Sequence, residues 1–464
     1  MKYCSTRGSA PHLGFDDVLL TGLANDGGLY IPNEWPYFSD SEIRKMKGLS
    51  YGELATKIIY PFIQGSIIQN NLQEIIIETY KSFNHSKVAP IRQLKENIWI
   101  MELYHGPTLS FKDYALQVIG SIFENILSKN NRNINIVGAT SGDTGSAAIS
   151  SCANRSGMNI FILHPEGRVS EVQRRQMTTV NSPNVFNIAI KGTFDDCQSL
   201  VKLMFKDESF REKLNLSAVN SINWARILFQ IVYYFYAVLS IGALNKSVSF
   251  SVPTGNFGNV FAGYCSKKIG LPISKFYIGS NNNDILTRFF SNRSMIIKDV
   301  VPTISPAMDI QVSSNFERLL YDVYKGDHLK INNLMRDFSE KKCFTVDPEI
   351  FKKIKSNFEA YKLDDEETKS IMKRTFDESQ YILDPHTAVG LGAIDNFPNM
   401  LDDPLVVLST AHPSKFPDAV KSAVGRSPSL PDSIKDLYNL KEDYNVLPNN
   451  LDLVKDYIYS NASL

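Results

Sequence analysis

From about residue 98 to residue 408, short apolar runs alternate with segments that have an apolar helical face. A strand that is covered on both faces is apolar at nearly every position, and it needs helices on both sides of its sheet. The alternation therefore predicts an α/β fold of parallel β-α-β units, in which ligands bind at the carboxyl ends of the strands. The predicted strands are residues 98–103, 133–137, 159–163, 185–190, 248–252, 276–278 and 405–408.

The length of 464 residues exceeds the usual size of one compact domain, which predicts two or three domains. Basic and acidic residues are equal in number, at 49 each, so the formal net charge is zero. Proteins that bind nucleic acids or anionic membrane surfaces usually carry a basic excess. We therefore expect neither a nucleic-acid partner nor a membrane partner.

The five cysteines are widely spaced, and no two of them form a C-x-x-C pair. This pattern argues against a disulfide framework and against a thiolate metal site. No apolar run follows the first residues, so we expect no signal peptide. Reduced thiols in a cytoplasmic enzyme without a bound metal fit this pattern best.

Residues 227–244 form an uncharged stretch of 18 residues. A helix that spans a membrane needs about 20 apolar residues, so the length is borderline. Gln230 and Ser240 interrupt the stretch, and the flanking segments follow the α/β pattern. A helix that is apolar all round can equally be buried inside a protein, and we predict a buried helix here.

The loop at 102–113 joins a predicted strand to a predicted helix, and Lys112 stands immediately before the helix. The positive end of the helix dipole and burial would both disfavour an ammonium group there and lower the pKa of the lysine. A neutral amine is nucleophilic toward an aldehyde, so Lys112 is a candidate catalytic residue. The alternative is an ordinary solvated lysine, and this loop alone leaves both interpretations open.

Two further loops place glycines and hydroxyl groups between a predicted strand and a helix. In the loops at 138–145 and 253–259, backbone N–H groups at the start of the helix could bind an anion. The second loop is neither a Walker loop nor a G-x-G-x-x-G dinucleotide fingerprint. Taken singly, the first loop is also explained as a helix cap and the second as a tight turn.

The last predicted strand leads into the segment 409–416, which contains Thr410 and His412. The Thr410 hydroxyl would lie at the carboxyl end of the sheet, and His412 is either catalytic or a hydrogen-bonded structural residue. The chain has no H-E-x-x-H or G-x-S-x-G motif, so metalloprotease and serine hydrolase chemistry are unsupported.

In their order along the chain, these loops resemble the longer bacterial and fungal branch of the threonine synthase family. The matching segments are HGPTLSFKD (105–113), ATSGDTG (139–145), NSIN (220–223) with Arg226, VPTGNFGN (252–259) and TAHPSKF (410–416). NDGGLYIP near the N-terminus and DPHTAVG at 384–390 extend the resemblance over nearly the whole chain. It implies the fold of the fold-type-II pyridoxal-phosphate (PLP) enzymes, with two open parallel-sheet α/β domains, the cofactor in the cleft between them, and an N-terminal extension domain.

The resemblance also implies the residues of the site. It makes Lys112 the catalytic residue that holds PLP as a Schiff base and assigns Thr410 to the pyridine nitrogen. Asp143, where shorter family members carry Asn, would lie near the cofactor's O3′. The cofactor phosphate is assigned to Gly255, Asn256, Phe257, Gly258 and Asn259. The substrate is assigned to Thr140, Ser141, Gly142, Thr144 and Arg226, with no residue assigned to a metal.

The implied reaction is the lyase step that converts O-phospho-L-homoserine and water into L-threonine and phosphate, the last step of threonine biosynthesis. Two alternatives stay open, namely a phospho-lyase of the threonine-synthase-like type that yields a 2-keto acid, and a PLP-binding protein without turnover. The leaving phosphate needs basic residues, and Arg226 is preferred over Arg168, Arg174 and Arg175. We expect a monomer or a weak homo-oligomer.

The predicted division of the chain has four parts. Residues 1–90 form an N-terminal domain, and residues 91–130 and 236–416 form a large PLP-binding domain. Residues 131–235 form a small α/β domain, and residues 417–464 form a C-terminal tail.

Overall fold

The protein is represented by a computed structural model that describes residues 1–218, 221–397 and 403–462. The seven strands that the apolar pattern predicts between residues 98 and 408 each overlap a strand of this structure. The strands, numbered in chain order, are β1 (Tyr3–Ser5), β2 (Tyr30–Pro32), β3 (Ile91–Lys95), β4 (Ile98–Glu102), β5 (Ile134–Ala139), β6 (Met158–Pro165), β7 (Val185–Lys191), β8 (Leu216–Ala218), β9 (Val248–Pro253), β10 (Ile273–Ser280), β11 (Ser294–Ile296), β12 (Cys343–Thr345), β13 (Phe358–Lys362), β14 (Leu405–Ser409) and β15 (Asn445–Pro448).

The α-helices connect and cover these strands. They are α1 (Phe15–Thr21), α2 (Asp40–Lys45), α3 (Tyr51–Ile59), α4 (Leu72–Tyr80), α5 (Asp113–Asn130), α6 (Asp143–Cys152), α7 (Glu171–Thr178), α8 (Phe194–Lys206), α9 (Glu208–Lys213), α10 (Trp224–Ser240), α11 (Gly258–Lys268), α12 (Ile285–Asn292), α13 (Phe316–Val323), α14 (His328–Lys341), α15 (Pro348–Lys355), α16 (Asp365–Ser379), α17 (Pro385–Ile394), α18 (Pro417–Val424) and α19 (Leu451–Asn461). Short 3₁₀ turns at Tyr60–Ile63, Gln69–Asn71, Pro306–Met308, Pro413–Lys415, Asp432–Ile434 and Leu437–Asn439 complete the description.

The larger sheet has the strand order β13-β10-β9-β14-β4-β3. Its strands are parallel except β3, which runs antiparallel to β4 at one edge. Every residue of β9 and β14 is buried, as expected for strands covered by helices on both faces. The carboxyl ends of β4, β9 and β14 therefore lie side by side, and the loops that follow them share one edge of the sheet.

The second sheet is parallel throughout and has the order β15-β7-β6-β5-β8. Its edge strand β15 comes from the segment predicted as a tail, and it pairs with β7 from Asn445↔Ile188 to Pro448↔Lys191. Helix α19 then buries Val454 and Ile458 against α8. The segment after residue 416 is thus joined to this sheet by both hydrogen bonds and apolar packing.

The first 80 residues form short elements that dock on the larger sheet's helices. The hydroxyl of Tyr3 in β1 donates to the carbonyl of Phe62 at 2.7 Å, and the Phe38 N–H donates to the carbonyl of Ile269 at 2.9 Å. The ring of Tyr3 also lies 6.0 Å from that of Trp224, at the start of α10. One continuous hydrophobic core therefore includes the N-terminal segment and the helices behind the site.

The uncharged stretch at 227–244 lies mostly within α10, which is buried along nearly its whole length. This helix packs against α3, α5 and α11. In the residues described by the structure, no helix combines the length and hydropathy needed to cross a bilayer. The predicted domain boundary at residue 235 falls inside α10. The division of the chain into domains remains a prediction.

Candidate active site

A cavity opens where the carboxyl ends of the two sheets face each other, and its empty space, with the part open to solvent included, is about 700 Å³. The loops after β4, β9 and β14 form one wall, and the start of α6 after β5 forms the opposite wall. The lining residues are Phe111, Lys112, Asp143, Thr144, Ser221, Arg226, Gln230, Pro253, Thr254, Gly255, Asn256, Phe257, Gly258, Asn259, Ala307, Met308, His386, Thr410 and Ala411. The structure thus brings together Lys112, Asp143, the 255–259 loop, Thr410, Thr144 and Arg226, all of which were predicted from sequence.

Lys112 is fixed beside Thr410 by the backbone of the two loops. The N–H of Phe111 donates to the carbonyl of Thr410 at 2.9 Å, and the N–H of His412 donates to the carbonyl of Leu109 at 3.0 Å. These bonds hold the loops after two neighbouring strands in register. The lysine then stands at the cap position of α5, as the sequence predicts.

The buried carboxylate of Asp113 orders the loop that precedes Lys112. It accepts hydrogen bonds from the N–H and the hydroxyl of Thr108, each at 2.8 Å, and from the side chain of Gln117 at 3.0 Å. Gly106 lies against it so closely that an added Cβ would meet the Asp113 Cβ at 2.4 Å. The glycine of the HGPTLSFKD segment is therefore required by packing.

The Lys112 ammonium lies in an environment that disfavours its charge. Its side chain is only 10% exposed, and its Nζ contacts the Asp143 carboxylate at 3.2 Å. Burial lowers the pKa of Lys112, and the positive charges of Lys415 and Arg226 lower it further, against the opposing effect of Asp143. This supports the interpretation of Lys112 as a nucleophile and base over that of a solvated lysine.

Asp143 is buried and accepts hydrogen bonds from three donors. Besides Lys112, these are the ammonium of Lys415 at 2.8 Å and the side-chain amide of Gln173 at 2.8 Å. Burial alone would raise the pKa of Asp143, but the charges of Lys112 and Lys415 hold it far below its ordinary value. The carboxylate is therefore ionised and fixed in position.

The 253–259 loop forms a cup at the start of α11. Phe257 adopts a left-handed conformation, with φ of 62°, at the cap of the helix. A second loop clamps the cup from outside, because the Ser313 hydroxyl donates to the carbonyl of Gly255 at 2.6 Å and the Asn315 amide donates to the carbonyl of Asn256 at 3.0 Å. With the carbonyls turned outward to these partners, the first N–H groups of the helix remain for an anion.

Asn259 provides a further donor in the same wall. Its Oδ1 lies 2.6 Å from the Tyr233 hydroxyl and 2.9 Å from the Tyr234 hydroxyl. Its Nδ2 is buried and has no hydrogen-bond partner among the residues that the structure describes. A buried donor that lacks a partner is costly, and an anion bound in the cup would satisfy it.

Thr410 is buried at the end of β14 and is held by a chain of polar groups behind it. Its N–H donates to the Thr387 hydroxyl at 3.3 Å, and the Thr387 hydroxyl donates to Asp384. Asp384 also lies 2.9 Å from Nδ1 of His386, which lines the cavity. The DPHTAVG segment therefore holds the backbone of Thr410 in place through Thr387 and Asp384.

Arg226 lines the cavity, and the other three candidate arginines lie away from it. Arg226 is 5% exposed, and burial lowers its pKa to about 10. Arg174 forms a bidentate pair with Glu442 at 2.8 and 3.0 Å, and Arg175 contacts Glu171 and Glu442. Arg168 is exposed. Neither Arg168, Arg174 nor Arg175 lines the cavity.

The predicted substrate loop is only partly at the cavity wall. Thr144 lines it, but Thr140, Ser141 and Gly142 do not. The Thr140 hydroxyl accepts hydrogen bonds from the N–H groups of Gly142 and Gly145, at 3.0 and 2.9 Å, and so shapes the loop. Asn220 of the NSIN segment lies outside the described residues, and its neighbour Ser221 lines the cavity.

His412 lies outside the residues that line the cavity. Its Nδ1 is 2.7 Å from the Ser414 hydroxyl, and its ring packs edge-on against Tyr104. Burial lowers its pKa to about 4, so it is neutral at neutral pH. These contacts favour the structural interpretation of His412.

The sequence reasoning missed several residues of this site. Lys415 contacts Asp143, Asn315 clamps the cup, and Gln230 and His386 line the cavity. Gln230 was visible as a polar residue in an apolar helix, and Lys415 as a lysine in a matched segment. The sequence around Asn315 carried no comparable signal.

The comparisons with known proteins agree with this geometry. Three family models match consecutive parts of the chain. Residues 2–80 match the threonine synthase N terminus, residues 84–348 the pyridoxal-phosphate-dependent enzymes, and residues 387–458 the threonine synthase C-terminal model.

Relatives match over the full length. A threonine synthase from Pseudomonas aeruginosa is 48% identical, covering 99% of this chain and 98% of its own, and one from Saccharomyces cerevisiae is 42% identical, covering 98% and 97%. The crystal structure of a PLP-bound threonine synthase from Brucella melitensis superposes with a TM-score of 0.97 at 46% identity, covering all of both chains. The chain therefore belongs to the threonine synthase family of PLP-dependent enzymes.

Proposed function

We propose that this protein converts O-phospho-L-homoserine and water into L-threonine and phosphate, with Lys112 as the residue that holds the cofactor. The observation that carries the proposal is the shared cavity wall formed by Lys112, the 255–259 cup and Thr410. These groups come from loops after three different strands of one sheet, and each matches one part of PLP. Lys112 would hold the aldehyde, the N–H groups of the cup would hold the phosphate, and the Thr410 hydroxyl would hold the pyridine nitrogen.

The residues present fit the cofactor. Asn259 keeps an unpartnered buried donor beside the cup, as a phosphate site requires. An added Cβ on Gly255 would meet Ile310 at 3.0 Å and the carbonyl of Ala307 at 3.2 Å, so the cup has no room for a side chain. When bound, PLP supplies an electron sink that stabilises negative charge on the carbon atoms next to the substrate's amine.

Lys112 is placed to move protons during the reaction. With substrate and cofactor bound, the Lys112 amine would remain at the cavity wall beside Asp143. Because burial and nearby positive charges lower its pKa, this amine can take a proton from the substrate carbon and return one later. Asp143 holds the amine in position through the contact at 3.2 Å.

With PLP bound, Thr410 would offer a hydroxyl, and no carboxylate, to the ring nitrogen. A neutral partner would leave that nitrogen unprotonated more readily than a carboxylate would. This suits an elimination, in which charge must pass onward to expel phosphate from the substrate's γ carbon. The Thr387 and Asp384 side chains behind Thr410 keep its backbone in place.

Arg226 is the basic residue best placed for the substrate's phosphate. It is buried in the cavity wall next to Gln230 and Ser221, and its guanidinium can donate two parallel hydrogen bonds to a phosphate. Arg174 and Arg175 are held by Glu442 and cannot reach the cavity without breaking those pairs.

Product analysis tests the proposed reaction. The purified protein with PLP is incubated with O-phospho-L-homoserine, and phosphate, threonine and 2-keto acid are measured together. We expect threonine and phosphate in equal amounts. Phosphate with a 2-keto acid and no threonine would instead assign the protein to the elimination-only phospho-lyases, and no phosphate would contradict the substrate assignment.

A further inference from the structure

A second lysine lies behind the site without reaching the cavity. Lys415 is fully buried, and it does not line the cavity. Its Nζ donates to the Asp143 carboxylate at 2.8 Å and to the carbonyl of Thr108 at 2.7 Å. Burying an ammonium group costs free energy, so we expect a lysine in this position to contribute to the function of the site.

One carboxylate separates the two lysine nitrogens. Asp143 contacts Lys112 through Oδ2 at 3.2 Å and Lys415 through Oδ1 at 2.8 Å. Lys112 must lose its proton to react with an aldehyde. With Lys415 present, Lys112 faces an ion pair with no net charge. Without Lys415, Lys112 would face the uncompensated carboxylate of Asp143. That negative charge would favour the ammonium form, so Lys112 would keep its proton.

We propose that Lys415 is a positioning residue that acts through Asp143 to keep the Lys112 amine available in its neutral form. This inference deepens the proposed function and rests on the assignment of Lys112 as the residue that holds PLP. It concerns the site's own charges and does not depend on the identity of the substrate.

The other charged and titratable groups around Lys112 do not replace Lys415. Arg226 from α10 and His386 from α17 line the same cavity, and Asp113 follows in the chain. The Asp113 carboxylate is turned to Thr108 and Gln117. Lys112 and Lys415 are the cations within ion-pair distance of Asp143 among the described residues.

The rate at which PLP recombines with the full-length chain measures the neutral fraction of Lys112. The cofactor is removed, PLP is added back across a range of pH, and the return of the lysine-linked visible absorbance is followed. The titration of PLP itself is the same for every variant, so differences between variants report the protein. We expect Lys415→Met to move the half-point of this profile upward by about one pH unit, with equal rates at high pH.

Three variants separate the charge from the packing. Lys415→Arg keeps the charge and should keep the half-point near that of the wild type. Lys415→Gln keeps hydrogen-bond donors without the charge, and it should shift the half-point upward even if Lys415→Met does not fold. Asp143→Asn should shift it downward, because Lys112 then faces the Lys415 charge directly. A merely structural lysine would slow recombination at every pH and leave the half-point in place.

Lys112→Ala separates a failure of the proposed function from a failure of the role proposed for Lys415. If this variant still acquires the lysine-linked absorbance, the attachment site and the proposed function are wrong. If the absorbance depends on Lys112 but Lys415→Gln and Lys415→Met leave the half-point unchanged or lower it, only the role of Lys415 is overturned. An upward shift of the half-point in Lys415→Gln or Lys415→Met, without such a shift in Lys415→Arg, supports the proposed role of Lys415.

Discussion

Asn315 links the phosphate cup to the N-terminal part of the molecule, and its replacement by alanine should weaken both. The side chain is fully buried. Its Nδ2 donates to the carbonyls of Ser221 and Asn256, each at 3.0 Å, and its Oδ1 accepts a hydrogen bond from the guanidinium of Arg318. Arg318 in turn donates to the carbonyl of Tyr30 at 2.9 Å.

The expected loss can be estimated bond by bond. A hydrogen bond between neutral groups contributes about 1 kcal/mol, and one from a charged group contributes about 2 kcal/mol. Asn315→Ala removes two of the first kind and one of the second, which gives a loss of about 4 kcal/mol in the free energy of unfolding. Ser313→Ala removes a single neutral bond from the same loop, to Gly255, and should cost about 1 kcal/mol.

Urea unfolding of the cofactor-free variants, followed by tryptophan fluorescence, compares the two losses. Trp224 is a suitable reporter because the Arg318 guanidinium lies 5.8 Å from its ring. Titration with PLP then measures how tightly the cup binds the cofactor. We expect weaker binding for Asn315→Ala than for Ser313→Ala, since only the former removes the side-chain hydrogen bond to the carbonyl of Asn256 and leaves that carbonyl with the backbone N–H of residue 315 alone. Equal unfolding midpoints for the two variants, or wild-type PLP affinity in Asn315→Ala, would refute the clamp.

Two further predictions concern Thr410 and Glu442. Thr410→Ala should retain PLP, because the cup and Lys112 are intact. It should lower kcat by an order of magnitude or more, which is about the contribution of one positioned group, while Thr410→Ser should keep most of the rate. A full-rate Thr410→Ala variant would remove Thr410 from the mechanism. The hydrogen bonds from Arg174 lower the pKa of Glu442, so this pair contributes stability above the ordinary glutamate pKa and loses it as the pH falls. Glu442→Gln should therefore melt below the wild type at neutral pH, by the equivalent of about 1 kcal/mol or less. The difference should narrow as the pH falls below the ordinary glutamate pKa. A gap that persists in strong acid would show that the pair does not act through its charge.

The parts of the fold that could be predicted are those with a strong local pattern. Every predicted strand from residue 98 to residue 408 overlaps a strand of the two sheets. Strand β15, with the sequence NVLP, was missed because it is short, exposed and ends in proline. It forms only because β7 offers a free edge some 250 residues earlier in the chain, and no local pattern encodes such a partner.

The same distinction applies to the site. Lys112, Asp143 and the 255–259 loop stand at strand ends, where both the β-α pattern and the family resemblance direct attention. The engagement of Arg174 and Arg175 by Glu442 depends on a contact with the C-terminal segment, so their sequence neighbourhood gave no sign of it. Likewise, Asn315 lies 59 residues from its partner Asn256, and their contact appears only in the folded chain.

The attachment of PLP to Lys112 is the central claim, and borohydride reduction of the holoenzyme tests it most directly. Reduction makes the link between the cofactor and its lysine permanent, and peptide mapping by mass spectrometry then locates it. We predict that the modified lysine is Lys112, within the peptide that contains HGPTLSFKD. Modification of Lys415 or of any other lysine, with Lys112 unmodified, would contradict the account.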